Sequence, residues 1–532
     1  MPSERIYLYD TTLRDGAQTH GVDFSAADKA AIATALDSIG IDYIEGGWPG
    51  ANPRDDDFFQ QKHDLKNSKL TAFGMTRRSG RSAANDPSLT AVLSANTPVV
   101  CLVGKTHDAH ATTALGVDLE ENLRMISESV SECVNRGRET IFDAEHFFDG
   151  YKANPEYALK CISAALNAGA RWIVLCDTNG GTLPHEVFDI VKTVCSTLPG
   201  DRIGIHTHND TENAVANSIA AIQAGARQVQ GTLNGLGERC GNANLISLIP
   251  SLVLKLGYDV GISENALKRL PEVSRMLDER LNRAPNRHAA YVGASAFAHK
   301  AGLHVSAVEK DPNLYEHIEP HTVGNSRLIL VSDQAGRANV ISRFRELGIQ
   351  IDPKDPRVLS IVDAVKDREY QGYSYDGAEA SFELLARQLT EGLPNYFTIE
   401  TFRVLDEHRF DSGSQKPVLS EATVKVSVGS DRSLQVAEGN GPVNALDHAL
   451  RKALSPFYPI VNEVRLTDYR VRILNSGDGT AAVTRVMLES SDQEGNRWTT
   501  VGLSGDIISA SYEALTDGII YKLMKAGSKP LL

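Results

Sequence analysis

The feature that most constrains the fold is an eightfold alternation of short β-branched apolar segments with longer amphipathic segments, between Ile6 and about Leu256. The predicted strands are Ile6–Asp10, Tyr43–Gly47, Leu70–Thr76, Val99–Gly104, Thr140–Glu145, Trp172–Asp177, Arg202–His208 and Gln228–Thr232. The predicted helices are Ser25–Ile39, Asp55–Leu65, Asp86–Ser94, Asp118–Arg136, Pro155–Ala168, Pro184–Thr197, Thr211–Ala224 and Asn242–Leu256. Eight such units predict an α/β fold, a (β/α)8 TIM barrel. The alternative, an open doubly wound sheet, usually has a glycine-rich first turn, which is missing here.

The sequence after the barrel changes character twice. Residues 265–395 are helical, loop-rich and interrupted by prolines, which predicts helical accessory subdomains and a linker. From residue 396 the pattern alternates with period two, and predicts strands at Thr398–Asp406, Thr423–Val428, Glu463–Leu474 and Ala482–Ser490. Gly441–Leu450 aligns with Asp506–Leu515, so we expect a C-terminal α+β domain of two pseudo-repeated β-β-α units. The predicted domains are therefore 1–264, 265–395 and 396–532.

Composition narrows the class of protein. The chain of 532 residues has a formal net charge of −14, which disfavours nucleic acid and anionic membrane surfaces as partners. Its six cysteines are scattered without a CxxC motif, as expected for reduced thiols. The sequence has no apolar run of membrane-spanning length and no leader-like N-terminus, so we expect a cytoplasmic protein.

Three polar motifs follow predicted barrel strands. His206 and His208 lie two residues apart on one strand, so both imidazoles face the same side and form a ready metal pair. Arg14 and Asp15 lie in the polar segment 10–18 after the first strand, and the glycine-rich segment 234–242 follows the eighth. Each motif also has an ordinary structural explanation: a capping histidine, an ion-paired loop or a tight turn. Their common position at the C-terminal ends of barrel strands favours a functional site.

These motifs carry a resemblance to a known family. DTTLRDG at 10–16, HTHND at 206–210 and GLGERCGNA at 235–243 resemble the metal-dependent Claisen-condensing barrels, the family of 2-isopropylmalate, homocitrate and citramalate synthases. The resemblance covers the whole chain, including the tail, which is similar to the family's paired regulatory domain. Within the family, the segments 45–52 and 13–17 resemble the branch that acts on pyruvate.

The resemblance implies a role for individual residues. It implies a divalent metal ion, Zn²⁺, Mn²⁺ or Mg²⁺, held by Asp15, His206, His208 and Asn242. Arg14 would bind substrate and stabilise the developing alkoxide. Thr178 would bind the substrate carboxylate, and Glu145 would lie between the keto acid and acetyl-CoA.

The accessory region supplies the remaining implied residues. His304 matches the family's general base, which the partner subunit of a homodimer provides, and Asn313 and Tyr315 match polar residues that complete the site. From the pattern alone, His299 and His317 are equal candidates for the base. Relatives often carry an acidic residue shortly after this histidine, where this chain has Val305 and Ser306.

Side-chain selectivity is expected to depend on residues at strand ends: Phe73, Met75, Leu102 and Asp143. Asp143 departs from the apolar or aromatic residue expected beside a methyl-sized pocket.

The implied reaction condenses acetyl-CoA with pyruvate and water to give citramalate and CoA. This step opens a route to isoleucine, and isoleucine is the expected feedback inhibitor. The nearest alternatives are 2-isopropylmalate or homocitrate synthesis on the same scaffold, and a metal-dependent lyase that cleaves a carbon–carbon bond is a more distant one. A non-catalytic amino-acid sensor would not need the four metal ligands.

Overall fold

The structure, a computed structural model, describes residues 4–407, 410–411, 414–415, 419–474, 479 and 482–531. The chain folds into two compact units. Unit 1 comprises residues 1–297 and 317–327, and unit 2 comprises residues 298–316 and 328–532. Within the described ranges, every helix is too short or too polar to span a membrane.

Unit 1 contains a closed parallel barrel in which each strand pairs with the next and β8 pairs with β1. Its strands are β1 Tyr7–Asp10, β2 Tyr43–Gly47, β3 Lys69–Met75, β4 Val99–Lys105, β5 Glu139–Glu145, β6 Trp172–Asp177, β7 Ile203–Thr207 and β8 Gln228–Gly231. The predicted barrel is confirmed, and its strand bounds agree with the prediction to within one residue at nearly every end. Strands buried on both faces form continuous β-branched runs, which makes them easy to locate in a sequence.

Helices surround the barrel and fill the sequence up to the accessory region. They are α1 Ala26–Ile39, α2 Pro53–Gln60, α3 Pro87–Ser94, α4 Leu119–Asn135, α5 Phe147–Ala153, α6 Pro155–Asn167, α7 Pro184–Thr197, α8 Ala214–Ala224, α9 Leu245–Pro250, α10 Glu264–Leu267 and α11 Leu270–Arg280. The sequence explains their starts. Ser25 and Asp28 form a capping box before α1, and Asp118 accepts a hydrogen bond from the Glu121 amide at the start of α4.

Unit 2 begins with short elements and a group of helices. These are β9 Ala298–His299, α12 Gly302–Val308, β10 Leu328–Ile329, α13 Arg337–Glu346, α14 Pro356–Gln371 and α15 Glu379–Thr390. Helices α13 to α15 share an apolar core that includes Phe344, Ile361 and Phe382. The predicted helical character of this region is confirmed.

The C-terminal part of unit 2 contains two three-stranded antiparallel sheets, each followed by a helix. The first comprises β11 Thr398–Glu407, β14 Leu419–Val428, β15 Asp431–Gly439 and α16 Pro442–Leu454, with a small hairpin, β12 Phe410–Asp411 and β13 Ser414–Gln415, between its first two strands. The second comprises β16 Arg465–Ile473, β17 Thr484–Ser491, β18 Arg497–Ser504 and α17 Ile507–Lys525. The aligned segments form the starts of α16 and α17, with Gly441 and Asp506 as N-caps, so the internal repeat is confirmed.

Both repeats differ from the sequence prediction in the number of strands, and they differ from each other in how their sheets are covered. Each repeat contains the expected strands and helix plus a third strand, β15 or β18, that the pattern did not indicate. Both helices and one face of each sheet build a common core. The other face of the second sheet packs through Val501 and Met487 against the core of α13 to α15. Strands β17 and β18 of the second sheet are therefore covered on both faces, whereas its edge strand β16 is largely exposed.

Candidate active site

Side chains of the types that ligate metal ions meet at the C-terminal mouth of the barrel. His206 Nε2 lies 3.3 Å from Asp15 Oδ2 and 3.3 Å from His208 Nε2. All three residues are buried, and their donor atoms lie within 4.8 Å of one another. Asn242 pairs with His208 in an isolated antiparallel bridge, so the fourth predicted ligand lies beside them.

The protonation of these groups suits a divalent cation. Burial and the nearby His206 lower the pKa of His208 to about 4, which keeps that ring neutral. Burial alone would raise the pKa of Asp15, but the positive charge of Arg14 and the contact with His206 outweigh it, so the net effect is a lowered pKa. The cluster therefore offers an ionised carboxylate and a neutral imidazole at neutral pH.

Asn242 provides an independent test of the fit. Its Nδ2 donates to the Leu236 carbonyl at 3.2 Å, which fixes the amide, while its Oδ1 is buried and has no hydrogen-bond partner among the described residues. A buried carbonyl oxygen without a partner is costly unless it binds something. Oxygen and imidazole donors together are the ligands that Zn²⁺, Mn²⁺ and Mg²⁺ accept, so the residues present fit such an ion.

Arg14 is held rigidly beside the cluster. Its Nε donates to Glu45 Oε1 at 2.6 Å, and its guanidinium lies 4.0 Å above the ring of Phe73. Glu45 also accepts a hydrogen bond of 2.5 Å from the Tyr9 hydroxyl. Because both oxygens of this buried carboxylate are used, Arg14 keeps one orientation, with its NH1 3.7 Å from Asp15 Oδ2.

Glu145 ends strand β5, and Thr178 directly follows the neighbouring strand β6. Glu145 forms an ion pair with Lys105 at the end of β4. The Thr178 hydroxyl accepts a hydrogen bond of 2.8 Å from the backbone N–H of His146. Both predicted residues thus lie at the mouth in unit 1, in contact with Lys105 and His146, which the sequence did not single out.

Histidines form a further cluster there that the sequence analysis missed. The rings of His107 and His110 stack with centroids 4.9 Å apart, and His110 meets His146 edge-on at 4.2 Å. Burial and the charge of His146 lower the pKa of His110. The only signal in the sequence was the density of histidines after β4 and β5.

The selectivity residues divide according to the face of the strand that carries them. Phe73 belongs to the apolar cluster inside the barrel. Leu102 is fully buried in the outer core against the helices, so its predicted place in the substrate pocket is wrong. Its neighbour Val103 points into the barrel instead. Met75 has the same parity as Phe73 on β3 and is partly exposed at its end.

Asp143 lies inside the barrel and is almost fully buried. Its Oδ1 accepts a hydrogen bond of 2.9 Å from Gln230 Nε2. Burial, with a smaller contribution from Glu45, raises the pKa of Asp143 to about 6. Its contact with substrate stays a prediction.

His304, Asn313 and Tyr315 all belong to unit 2. His304 is exposed on α12, and its ring packs against Tyr315 with centroids 4.4 Å apart. Asn313 donates from Nδ2 to Asp311 at 2.9 Å. Among the described residues, the His304 ring has no hydrogen-bond partner.

A parallel eight-stranded barrel with a candidate metal site at its mouth, followed by a duplicated α+β domain, defines a barrel enzyme with a regulatory module. Family models match all three regions. The HMGL-like model covers residues 5–276, the homocitrate synthase post-HMGL domain-like model covers 291–371, and the LeuA allosteric (dimerisation) domain model covers 376–523.

Curated relatives extend over the whole chain. An (R)-citramalate synthase of Aquifex aeolicus is 52% identical over 100% of both chains. Another from Geobacter sulfurreducens is 51% identical over 98% of both. A 2-isopropylmalate synthase of Pectobacterium atrosepticum is 32% identical and covers 97% of this chain and 93% of its own. The chain belongs to the family of (R)-citramalate synthases, which are acyltransferases.

Proposed function

We propose that this enzyme condenses acetyl-CoA with pyruvate and water to give (R)-citramalate and CoA. The observation that carries the proposal is the 52% identity, over the full length, to a relative named for that product. Condensation on 2-ketoisovalerate is the second candidate, because a 2-isopropylmalate synthase is 32% identical. Pyruvate and 2-ketoisovalerate differ by two carbons, and apolar pockets discriminate by only ~1–3 kcal/mol for each methylene, so the choice needs a direct measurement.

The test is a panel of 2-keto acids with acetyl-CoA, followed by the release of free thiol. Pyruvate should give the highest kcat/KM, and chiral chromatography should identify the product as (R)-citramalate. A higher kcat/KM for 2-ketoisovalerate or 2-ketoglutarate would refute the assignment. The absence of thiol release with any keto acid would refute condensation itself.

We propose that Asp15, His206, His208 and Asn242 hold a divalent metal ion. The donor set and the partnerless Asn242 oxygen support this, and enzymes of the HMGL-like family are metal dependent. When bound, the ion would supply a Lewis acid that polarises the keto group.

Different residues at the mouth of the barrel assist different steps of the condensation. The proton that leaves the acetyl methyl group passes to the base, and the resulting carbanion attacks the keto carbon to form the new bond. The guanidinium of Arg14 stabilises the alkoxide that develops, and the alkoxide then takes up a proton. Thr178 donates to the keto-acid carboxylate, and Glu145 lies between the two substrates. Water finally cleaves the thioester and releases CoA as the free thiol.

We propose that His304 is the base and acts on the barrel of the partner subunit in a homodimer. The ring is exposed and has no hydrogen-bond partner among the residues that the structure describes. Around it lie exposed apolar side chains, with Leu303 76%, Leu314 59% and Tyr315 45% accessible. Adjacent exposed apolar residues of this size mark a contact surface, and the match to a dimerisation domain supports a second copy as the partner.

We propose that isoleucine inhibits the enzyme by binding the C-terminal domain. The duplicated architecture and the match to an allosteric domain support this. Glycine-containing segments at 439–442 and 502–505 are candidates for the effector pocket, because backbone there could approach a small amino acid closely. Packing explains Gly439 and Gly502, however, since a Cβ atom at Gly502 would lie 2.0 Å from the Ala510 carbonyl oxygen and one at Gly439 would lie 2.4 Å from the Ala445 amide nitrogen. They therefore do not locate the effector, which binding experiments must do.

A further inference from the structure

A chain of hydrogen bonds runs through the barrel interior from His206 on the side opposite the candidate metal. His206 Nδ1 lies 2.8 Å from Gln230 Oε1. The Nε2 of the same Gln230 amide donates a hydrogen bond of 2.9 Å to Asp143 Oδ1. Gln230 is fully buried and Asp143 is 3% exposed, so water does not compete for these bonds.

The direction of each bond follows from the chemistry of the groups. An amide oxygen only accepts, so the His206 ring carries a proton on Nδ1, and whenever the ring is neutral its lone pair lies on Nε2. Nε2 is the nitrogen that faces Asp15 and His208. A carboxylate also only accepts, so the NH2 group of Gln230 must face Asp143. The oxygen of the Gln230 amide therefore faces His206.

The carboxyl group of Asp143 is confined by its neighbours in the barrel interior, because the Cys101 sulfur and a Glu45 carboxylate oxygen lie within 4.8 Å of it. In metal sites, a hydrogen bond to the distal nitrogen of a ligating histidine fixes its tautomer and ring orientation.

We propose that Gln230 is a positioning residue that holds His206 in the Nδ1–H tautomer, and that Asp143 acts through Gln230 by fixing the orientation of its amide. The inference rests on the proposed metal site. It assigns to Asp143 a task that accounts for a carboxylate where an apolar pocket residue was expected.

The chain offers a matched control on the same strand. Gln228 is two residues from Gln230 and equally buried, and neither its Oε1 nor its Nε2 has a hydrogen-bond partner among the described residues. Gln230→Met and Gln228→Met remove the same amide from the same interior, but only the first breaks the chain to His206.

Two measurements on the full-length protein test the proposal. The first is the affinity of the chelator-treated protein for Mn²⁺ by calorimetry: Gln230→Met should bind ~10–100-fold more weakly than wild type, and Gln228→Met should bind like wild type. The second is the tautomer of His206 by long-range ¹H–¹⁵N NMR with labelled histidine, with its signals assigned by their loss in His206→Ala. Wild type should show Nδ1–H, and Gln230→Met should lose that preference.

A variant with a carboxylate provides the rescue. In Gln230→Glu, one carboxyl oxygen still accepts from Nδ1–H, while the other faces Asp143, so this pair of carboxyl groups must take up and share one proton. The tautomer should then return, and this variant also serves if Gln230→Met does not fold. Wild-type Mn²⁺ affinity with an unchanged tautomer in Gln230→Met would overturn the proposal. A wild-type protein that binds no divalent ion would overturn the metal site instead, and the tautomer would still decide the role of Gln230.

Discussion

His304→Ala separates the chemistry from the fold. His304 is exposed, and its described ring contact is the one with Tyr315 at 4.4 Å. Loss of such a contact costs about 0.5–1.5 kcal/mol of unfolding free energy, so the variant should stay folded. A lost general base lowers turnover by about 10²–10⁴-fold. We therefore expect kcat, measured by thiol release, to fall by that factor with KM for pyruvate nearly unchanged.

Mixing variants tests whether the base acts across subunits. His208→Ala is a suitable second variant for mixing, because the Nδ1 of His208 has no hydrogen-bond partner among the described residues. Removal of this ring therefore leaves few other groups without a partner. After exchange at equal amounts, half of the dimers are mixed, and each mixed dimer regains one of its two sites. The mixture should recover about a quarter of wild-type activity. Activity that stays at the level of the separate variants, after exchange has been shown with tagged chains, would refute action in trans. Unchanged kcat in His304→Ala would refute the base itself.

Four further outcomes are expected. His206→Ala should abolish most thiol release with an unchanged circular dichroism spectrum, and a chelator should do the same to wild type until Mn²⁺ is returned; full turnover of metal-free protein would contradict the metal site. Isoleucine, but not leucine, valine or lysine, should bind in calorimetry with ~1–3 kcal/mol of coupling to activity, and a chain ending near residue 393 should lose this inhibition. Lys29→Met should lower the free energy of unfolding, measured in urea, by about 3–5 kcal/mol. The buried Asp55 carboxylate lies 2.5 Å from the Lys29 ammonium in the wild type, and the substitution removes its counter-ion. Burial raises the pKa of Asp517 to about 7, so folding takes up a proton and stability falls as pH rises from about 4 to 7; Asp517→Asn should therefore raise Tm more at pH 8 than at pH 4.

The sequence located most of the fold because barrel strands and amphipathic helices have strong periodicity. It missed β15 because that strand's inward side chains include Ser433, Gln435 and Ala437, while Leu434 and Val436 are exposed. The usual apolar alternation is thus inverted there. It missed β18 because a strand buried on both sides, with Gly502 near its end, has no polar face to reveal the period.

The site was predictable where motifs end a strand and less so where it depends on register. The parity of β4 decides that Val103 faces inward and Leu102 outward, and a one-residue choice of this kind is not fixed by composition. Gln230 reads as an ordinary strand residue. Its contact with His206 follows from the pairing of β7 with β8, in which Gly204 lies opposite Gln228. The register in which two strands pair cannot be predicted from the local sequence of either strand.

The division of the chain into two compact units has a consequence for the kinetics of inhibition. The segment that carries His304 belongs to the same compact unit as the duplicated C-terminal domain, whereas the proposed metal ligands belong to the barrel unit. An effector that acts on unit 2 would therefore change the delivery of the base before it changes the pocket for the keto acid. We expect isoleucine to behave as an inhibitor of maximal velocity, one that lowers the throughput of each enzyme molecule at every pyruvate concentration. Rising pyruvate in the cell would then not overcome the inhibition.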